Sequence, residues 1–314
     1  MESIYPQNET PDLETLTQTL ADVFPQIGEI APLKLFGAGF GAAVVETAGG
    51  VVVRIARNAY AQASLARQAQ LLPAVRQQLP VAIPEPRWQA EPSPAAPFGA
   101  IAYPRLPGSP LTPGRLAADN APTLAHDLAA FLFALHHFPV DEAITLGALP
   151  VEERKLVAAE QSGAAVAILR AGLTPDEFAT VERWYAATRA DAPLSAFTPA
   201  LLHGDLWYEN ILVDDEAAHI TGVVDFENMG IGDPAEDLAT LLYLGDEFQR
   251  LVVAEYLIMN EPDALGDNLD QRVRVRWEMR EFLGVGFAAL YDLAELPDAL
   301  EKLRRGPIFR EAGG

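Results

Sequence analysis

The densest chemistry in the 314-residue chain lies between His203 and Asp237. There the sequence reads Leu201-Leu-His-Gly-Asp-Leu-Trp-Tyr-Glu-Asn-Ile-Leu-Val-Asp214, then Gly222-Val-Val-Asp-Phe-Glu227 and Gly232-Asp-Pro-Ala-Glu-Asp-Leu238. The polar groups form the pattern His203-x-Asp205-x4-Asn210, with Asp225 closing an apolar run. Phosphoryl transfer needs such a set. One carboxylate orients an attacking hydroxyl and accepts its proton, while an Asn oxygen and a second carboxylate hold Mg²⁺ on nucleotide phosphates. The five-residue step from Asp205 to Asn210 lets one short loop present both to a single point. A strand over 220–224 would deliver Asp225 from the other side. Taken singly, each residue has an ordinary explanation: an Asp after Gly is usually a turn residue, and an Asn before an apolar strand usually caps a loop. The whole set at these spacings is what argues for chemistry.

Elements able to position these groups are readable along the chain. Short Val-rich segments at 33–36, 42–47 and 51–56 read as strands, punctuated by Gly37, Gly39, Gly41 and Gly49-Gly50;. A helix is expected over 58–79, interrupted at Pro73;. The proline-punctuated 80–97 should be extended and loop-like, and 99–103 a strand running into the stiff connector Pro104-Arg105-Leu106-Pro107-Gly108;. Helical patterns follow at 121–137, 151–171 and 175–189, then strands at 210–214 and 220–225, then helices to the end. The expected fold class is α+β, with two lobes: a small N-terminal antiparallel sheet lobe with one helix (1–104) and a larger, mainly helical C-terminal lobe (105–314).

Composition bounds the function. Half the residues are apolar, no apolar run reaches the ~18 residues of a membrane span, and the acidic N-terminal stretch is not expected to be a signal peptide;. There is no cysteine, which excludes disulfides, thiol nucleophiles and thiolate zinc sites;. The 22 basic and 44 acidic side chains give a net charge of −22, which argues against nucleic acid as a partner;. Residues 201–314 hold 24 of the acidic and 9 of the basic groups. That surplus is either a solvated surface or a carboxylate-lined site drawing metal ions and a cationic substrate. A cytoplasmic protein, monomeric or weakly dimeric and free of membrane, is the expectation.

The segments "LLHGDLWYENILVD", "ITGVVDFE" and "IGDPAEDLA" resemble the aminoglycoside and macrolide phosphotransferase family, whose fold is similar to that of protein kinases;. The resemblance extends to "AIAYPRLPGSPL" (100–111) and to the helix ending at His137, covering most of 33–245 in order. It implies that Asp205 is the catalytic base, that Asn210 and Asp225 are Mg²⁺ ligands, and that His203 is a scaffold residue of the catalytic loop. Asp233 or Asp237 would brace that loop. The connector would lie beneath the purine of ATP or GTP, with the Pro104 carbonyl and Leu106 amide on its edge, and the turn around Gly39 would cover the phosphates.

The front of the chain departs from the pattern. Kinases place a lysine on the third strand and pair it with a helix glutamate. Here Arg54 takes the lysine's place, and no Asp or Glu occurs between Glu46 and Glu85, so Gln68 is the nearest stand-in for the glutamate. Arg54 could grip phosphate oxygens through two donors, or be an ordinary exposed strand residue. His126, His136 and His137 read as packing or surface residues. Arg272, Arg276 and Arg280 line one helix face, usually solvated or salt-bridged;. Trp277, Phe287 and Tyr291 read as core, and Glu278 and Glu281 as possible substrate carboxylates. These readings converge on a small-molecule kinase whose acceptor is a hydroxyl of a polyhydroxylated, cationic molecule of the aminoglycoside or macrolide type. A metabolic acceptor (a ketosamine, amino alcohol or hydroxy amino acid) and a nucleotide-binding pseudokinase module remain as alternatives.

Overall fold

The computed structural model describes residues 12–190, 196–261 and 266–310. It begins with helix α1 (Leu13–Val23), whose first turn is capped by the Asp12 carboxylate accepting the Thr15 N–H at 2.8 Å;. Strands β1 (Lys34–Ala38), β2 (Ala42–Glu46) and β3 (Val51–Ala56) follow, then α2 (Ala59–Val75), β4 (Trp88–Ala90) and β5 (Ala100–Pro104). The strands form one antiparallel sheet in the order β1-β2-β3-β5-β4.

Central β3 is buried along its whole length because each face has a cover. Side chains alternate across a strand. Val51, Val53 and Ile55 therefore pack with Leu16 and Leu20 of α1 and with Phe24 just after it. Val52 and Ala56 pack with Ala61, Leu65 and Ala69 of α2. Arg54 shares the parity of Val52 and Ala56, so a guanidinium lies in an apolar layer, with the residue 5% exposed. That removes the exposed-strand reading of Arg54.

Three local expectations need correction. Pro73 does lie within α2, but the helix ends at Val75, short of 79. The 80–97 stretch is not loop throughout: Trp88-Gln-Ala90 carries no proline and pairs with β5 as an edge strand, Trp88 opposite Ala102;. The sheet also has a second covering helix, α1, where one helix was expected; its signals, the cap Asp12 and Leu16 and Leu20 at helical spacing, had gone unread.

The larger part comprises β6 (Ser109–Pro110), α3 (Ala121–His136), α4 (Val140–Thr145), α5 (Val151–Gly172), α6 (Pro175–Ala190) and β7 (Ala200–Leu202). Then come β8 (Ile211–Val213), β9 (Ile220–Val223), β10 (Gly230–Gly232), α7 (Ala235–Thr240), α8 (Asp246–Met259), α9 (Leu269–Tyr291), α10 (Leu296–Arg305) and α11 (Pro307–Arg310). Two small sheets, β10-β7 and β6-β8-β9, carry the functional loops on a helical bed. Leu124, Leu128, Phe131, Leu132 and Leu135 of α3 pack beneath them with Leu201, Ile211, Val223 and Leu238. Each such fully buried side chain is worth about 1.5–3 kcal/mol over exposure. Leu71, Leu72 and Val75 of α2 join the same cluster, which fastens the sheet part to the helical part. Among the described residues no helix is long and apolar enough to cross a membrane.

Candidate active site

β7 delivers the His203–Asp205 turn, and the turn is built on glycine. Gly204 has φ +80°, and a Cβ there would collide with the Asn228 carbonyl;. The fully buried Asp237 of α7 accepts the His203 and Gly204 N–H groups at 2.8 Å each and contacts His136 Nε2 at 3.1 Å. Burial alone would raise the Asp237 pKa, but His136 and the Gly204 N–H hold it below the ordinary carboxylate value;. His203 Nε2 donates to the Val224 carbonyl at 2.9 Å, and its Nδ1 accepts the Asp205 N–H at 3.2 Å, which fixes the ring with its proton on Nε2;. Of the two aspartates the sequence offered as braces, Asp237 has the role. Asp233 instead accepts from Arg272 and Arg276, at 3.3 Å each, and from the Ala235 N–H at 3.0 Å.

The β8–β9 hairpin brings the segments that carry Asn210 and Asp225 together. Ile211 pairs with Val223, and the Val224 N–H donates to the Asn210 carbonyl at 2.9 Å, so Asn210 lies beside Val224 with Asp225 one residue on. Asn210 Nδ2 donates to the Asp205 carbonyl at 2.9 Å, which leaves Oδ1 as the end of the amide available to a cation. Asp225 has φ 65°. The left-handed region costs a residue with a Cβ roughly 1–2 kcal/mol, and such strain gathers at functional positions. An amide oxygen beside a carboxylate is a hard donor pair that suits Mg²⁺. Among the described residues no group of three His, Asp or Glu could hold a metal unaided, so a bound ion would take further oxygens from the nucleotide.

Arg54 reaches this hairpin. Nη1 lies 2.7 Å from Asp225 Oδ1 and Nη2 lies 2.8 Å from Glu227 Oε2, with side-chain exposures of 6%, 43% and 22% for Arg54, Asp225 and Glu227. Gln68 is not its partner: Gln68 Nε2 donates to Ser64 Oγ at 3.1 Å, and Ser64 Oγ donates to the Glu227 carbonyl at 3.0 Å. The carboxylate missing from α2 is thus supplied across the cleft by Glu227. Burial would lower the Arg54 pKa, but Asp225, Tyr103 and Glu227 outweigh it and the group stays charged. Against the pull of burial, the same guanidinium holds Asp225 below the ordinary carboxylate value. Burial wins at Glu227, with Asp225 and Asp205 adding to it, and pushes that carboxyl up.

The glycine-rich turn between β1 and β2 closes over the pair. Its tight approach is at Gly41, where a Cβ would stand 2.5 Å from Glu227 Oε1; nothing lies within 4 Å of the same point on Gly39. Arg57 Nη1 donates to the Ala38 and Gly39 carbonyls at 3.0 and 2.9 Å, and Asn58 Nδ2 to the Phe40 carbonyl at 2.8 Å. Phe40 at its tip meets Phe287 and Tyr291 of α9, ring centroids 5.8 and 5.7 Å apart. At the connector, the Arg105 N–H donates to the Gly50 carbonyl at 2.9 Å, between Pro104 and Leu106.

Helix α9 supplies the remaining wall. Arg280 Nη2 lies 2.7 Å from Asp205 Oδ1, and its guanidinium stands over the Tyr243 ring at 5.4 Å;. Tyr243 donates to Glu281 and meets Trp277 edge-on at 4.6 Å. Burial, reinforced by Glu281, pushes the Tyr243 hydroxyl up to about 12 despite Arg280. Glu278 accepts from Trp184 Nε1 at 2.6 Å and is 7% exposed, so it fastens α9 to α6 and does not stand open as a substrate carboxylate.

The family model described as "Phosphotransferase enzyme family" matches residues 33–273. The chain belongs to that family. Among solved structures, the GDP and kanamycin complex of APH(2")-IIia is 26% identical, with a TM-score of 0.80 over 94% of this chain and 98% of the other. A macrolide 2'-phosphotransferase, MphH from Brachybacterium faecium, shares the fold at 24% identity, with a TM-score of 0.68 over 93% and 97%. Viomycin phosphotransferase from Streptomyces vinaceus is 43% identical over 75 residues. That match takes in 21% of this chain and spans only about a quarter, 26%, of the relative's own length. The chain is therefore an enzyme of the phosphotransferase family with a kinase-like fold. Two functional-site residues of this phosphotransferase were not singled out from its sequence, Glu227 and Arg280. The x+2 step from Asp225 to Glu227 and the shared helix face of Arg272, Arg276 and Arg280 were the available signals.

Proposed function

We propose that this phosphotransferase moves the γ-phosphoryl group of ATP or GTP onto a hydroxyl of a small, polyhydroxylated, cationic molecule of the aminoglycoside or macrolide antibiotic type. The observation that supports the reading is that the Asn210 side chain donates to the Asp205 carbonyl while the β8–β9 hairpin bonds Asn210 to Val224, the residue before Asp225. Asp205 accepts the proton of the acceptor hydroxyl as that oxygen bonds to the γ-phosphorus and the bond to the bridging oxygen breaks. The nucleoside diphosphate leaves with the bonding pair. Asn210 and Asp225 would hold Mg²⁺, which when bound neutralises charge on the phosphates. The turn around Gly39 covers the phosphates and Arg54 supports them, while the Pro104 carbonyl and Leu106 N–H receive the purine edge. We place the division between nucleotide-holding and catalytic parts at residues 104 and 105. The acidic surplus of 201–314 favours a cationic acceptor;. The GDP and kanamycin bound by the 26%-identical structure and the viomycin relative support donor and acceptor class.

The test is a transfer screen with γ-labelled ATP and GTP, Mg²⁺, and a panel of viomycin, kanamycin, a macrolide and simple amino sugars. The reading expects label on one antibiotic class. Label on an amino sugar alone would replace it with the metabolic reading, and nucleotide binding without transfer would replace it with the pseudokinase one.

A further inference from the structure

The three arginines on one face of α9 do not all share one partner. Arg272 and Arg276 stop at Asp233, and Arg276 also approaches Glu236 at 3.9 Å. Arg280 extends past both to Asp205. Its guanidinium is held between the Asp205 carboxylate and the face of Tyr243, and Tyr243 is itself fixed by Trp277 and Glu281. The side chain is 29% exposed, so it is not sealed in the core. The loop between Asp205 and Asn210, Leu206-Trp-Tyr-Glu209, has no cation of its own. Arg54 pairs with Asp225 and Glu227, not with Asp205. Among the described residues, Arg280 is the cation in contact with Asp205.

We propose that Arg280 takes up the charge of the transferring phosphoryl group and aims the Asp205 carboxylate at the acceptor hydroxyl, supplied by α9 where the catalytic loop has no basic residue. The inference rests on the phosphotransfer reading above. In that reaction, charge spreads over three equatorial phosphoryl oxygens, and fixed donors aimed at it are the main catalytic contribution. A guanidinium has five N–H donors in a planar fork. With one nitrogen on Asp205 Oδ1, others remain for phosphoryl oxygens, and Asp205 Oδ2 remains for the hydroxyl proton. The step balances: the hydroxyl oxygen–phosphorus bond forms, the phosphorus–bridging oxygen bond breaks with its pair going to the nucleoside diphosphate, the proton goes to Asp205, and Arg280 keeps its protons.

The experiment uses the full chain, with hydrolysis of γ-labelled ATP and GTP to water and transfer to viomycin as readouts for Arg280→Ala, Arg280→Lys and Asp205→Asn. Arg280→Ala should lose about 10²–10³-fold in kcat, the usual cost of removing one charge-stabilising donor, with affinity for Mg²⁺ and nucleoside diphosphate unchanged. Guanidinium chloride, far below unfolding concentrations, should restore part of the lost kcat. Arg280→Lys keeps the charge without the fork and should lose part of kcat with a parental melting temperature, which decides the matter if Arg280→Ala does not fold. Parental kcat in either variant overturns the proposal. So does a kcat loss matched by lost nucleotide affinity and not rescued by guanidinium. Parental turnover in Asp205→Asn would instead sink the assignment of the base; parental Arg280→Ala beside an inactive Asp205→Asn sinks only the role of Arg280.

Discussion

Arg54 gives the sharpest energetic test, because its partner in the structure differs from the one the sequence suggested. Replacing it with alanine strands Glu227, 22% exposed, and half-exposed Asp225. The 2.8 Å bond to Glu227 is part-buried and charge-assisted, worth about 1.5–3 kcal/mol;. The bond to Asp225 is open to solvent on the carboxylate side and is discounted to no more than about 1 kcal/mol;. Arg54→Ala should therefore cost roughly 2–4 kcal/mol. Glu227→Gln should cost about 1.5–3 kcal/mol in the parent but little in the Arg54→Ala background, since its charged partner is already gone. The coupling between the two positions is then about 1.5–3 kcal/mol. Gln68, bonded to Ser64, should couple to Arg54 by no more than about 0.5 kcal/mol;. Urea unfolding of the parent, the three single variants and the two doubles measures both couplings, provided the m-values agree. A Gln68 coupling equal to or larger than that of Glu227 would refute the assignment.

Asp237→Asn should destabilise the protein by about 1.5–3 kcal/mol at neutral pH, since a buried carboxylate accepting from two N–H groups and touching His136 becomes a neutral amide; urea unfolding reads this directly;. Because the folded-state pKa of Asp237 is depressed, its contribution is complete above the unfolded value, about 3.9, and fades as pH falls through the lower folded value;. The variant should lose that part of the acid sensitivity in a pH series. Asp225→Gly should be about 1 kcal/mol more stable than Asp225→Ala, because at φ 65° only glycine is unstrained;. Both should lose Mg²⁺-dependent nucleotide binding in calorimetry, and retention in either would remove Asp225 from the metal site. Gly41→Ala should lower nucleotide affinity, since its methyl would displace Glu227 and with it the turn over the phosphates; parental affinity would show that the close approach at Gly41 is unimportant.

The parts of the site that were readable in the sequence are those set by short spacing. Asp205 and Asn210 are joined by one loop, and Asn210 and Asp225 by one hairpin, so chain distance nearly dictates spatial distance. What was not readable depends on which surface a face meets. Arg54 was picked out on β3, but its partner Glu227 is 173 residues away, on the far side of the cleft. Sequence spacing favoured Gln68 because it lies on the neighbouring helix. Arg280 lies 75 residues from Asp205, and helical periodicity groups it with Arg272 and Arg276 without saying that the third alone reaches the catalytic turn. The choice between Asp233 and Asp237, four residues apart on one segment, needed their opposite neighbours: arginines of α9 for one, N–H groups of the β7 turn for the other. Strand β4 was hidden by the prolines on either side of it.

The claim that everything else depends on is that Asp205 accepts the acceptor proton during phosphoryl transfer. The most direct measurement is the rate at which a hydroxylated acceptor, viomycin first and the rest of the panel after it, gains one phosphoryl group by mass spectrometry, for the parent and for Asp205→Asn with nucleotide binding matched. The account predicts transfer by the parent and a fall of about 10²–10⁴-fold in the variant, the contribution of a positioned general base, with no loss of Mg²⁺–nucleotide affinity. Transfer by Asp205→Asn within a few-fold of the parent would contradict it.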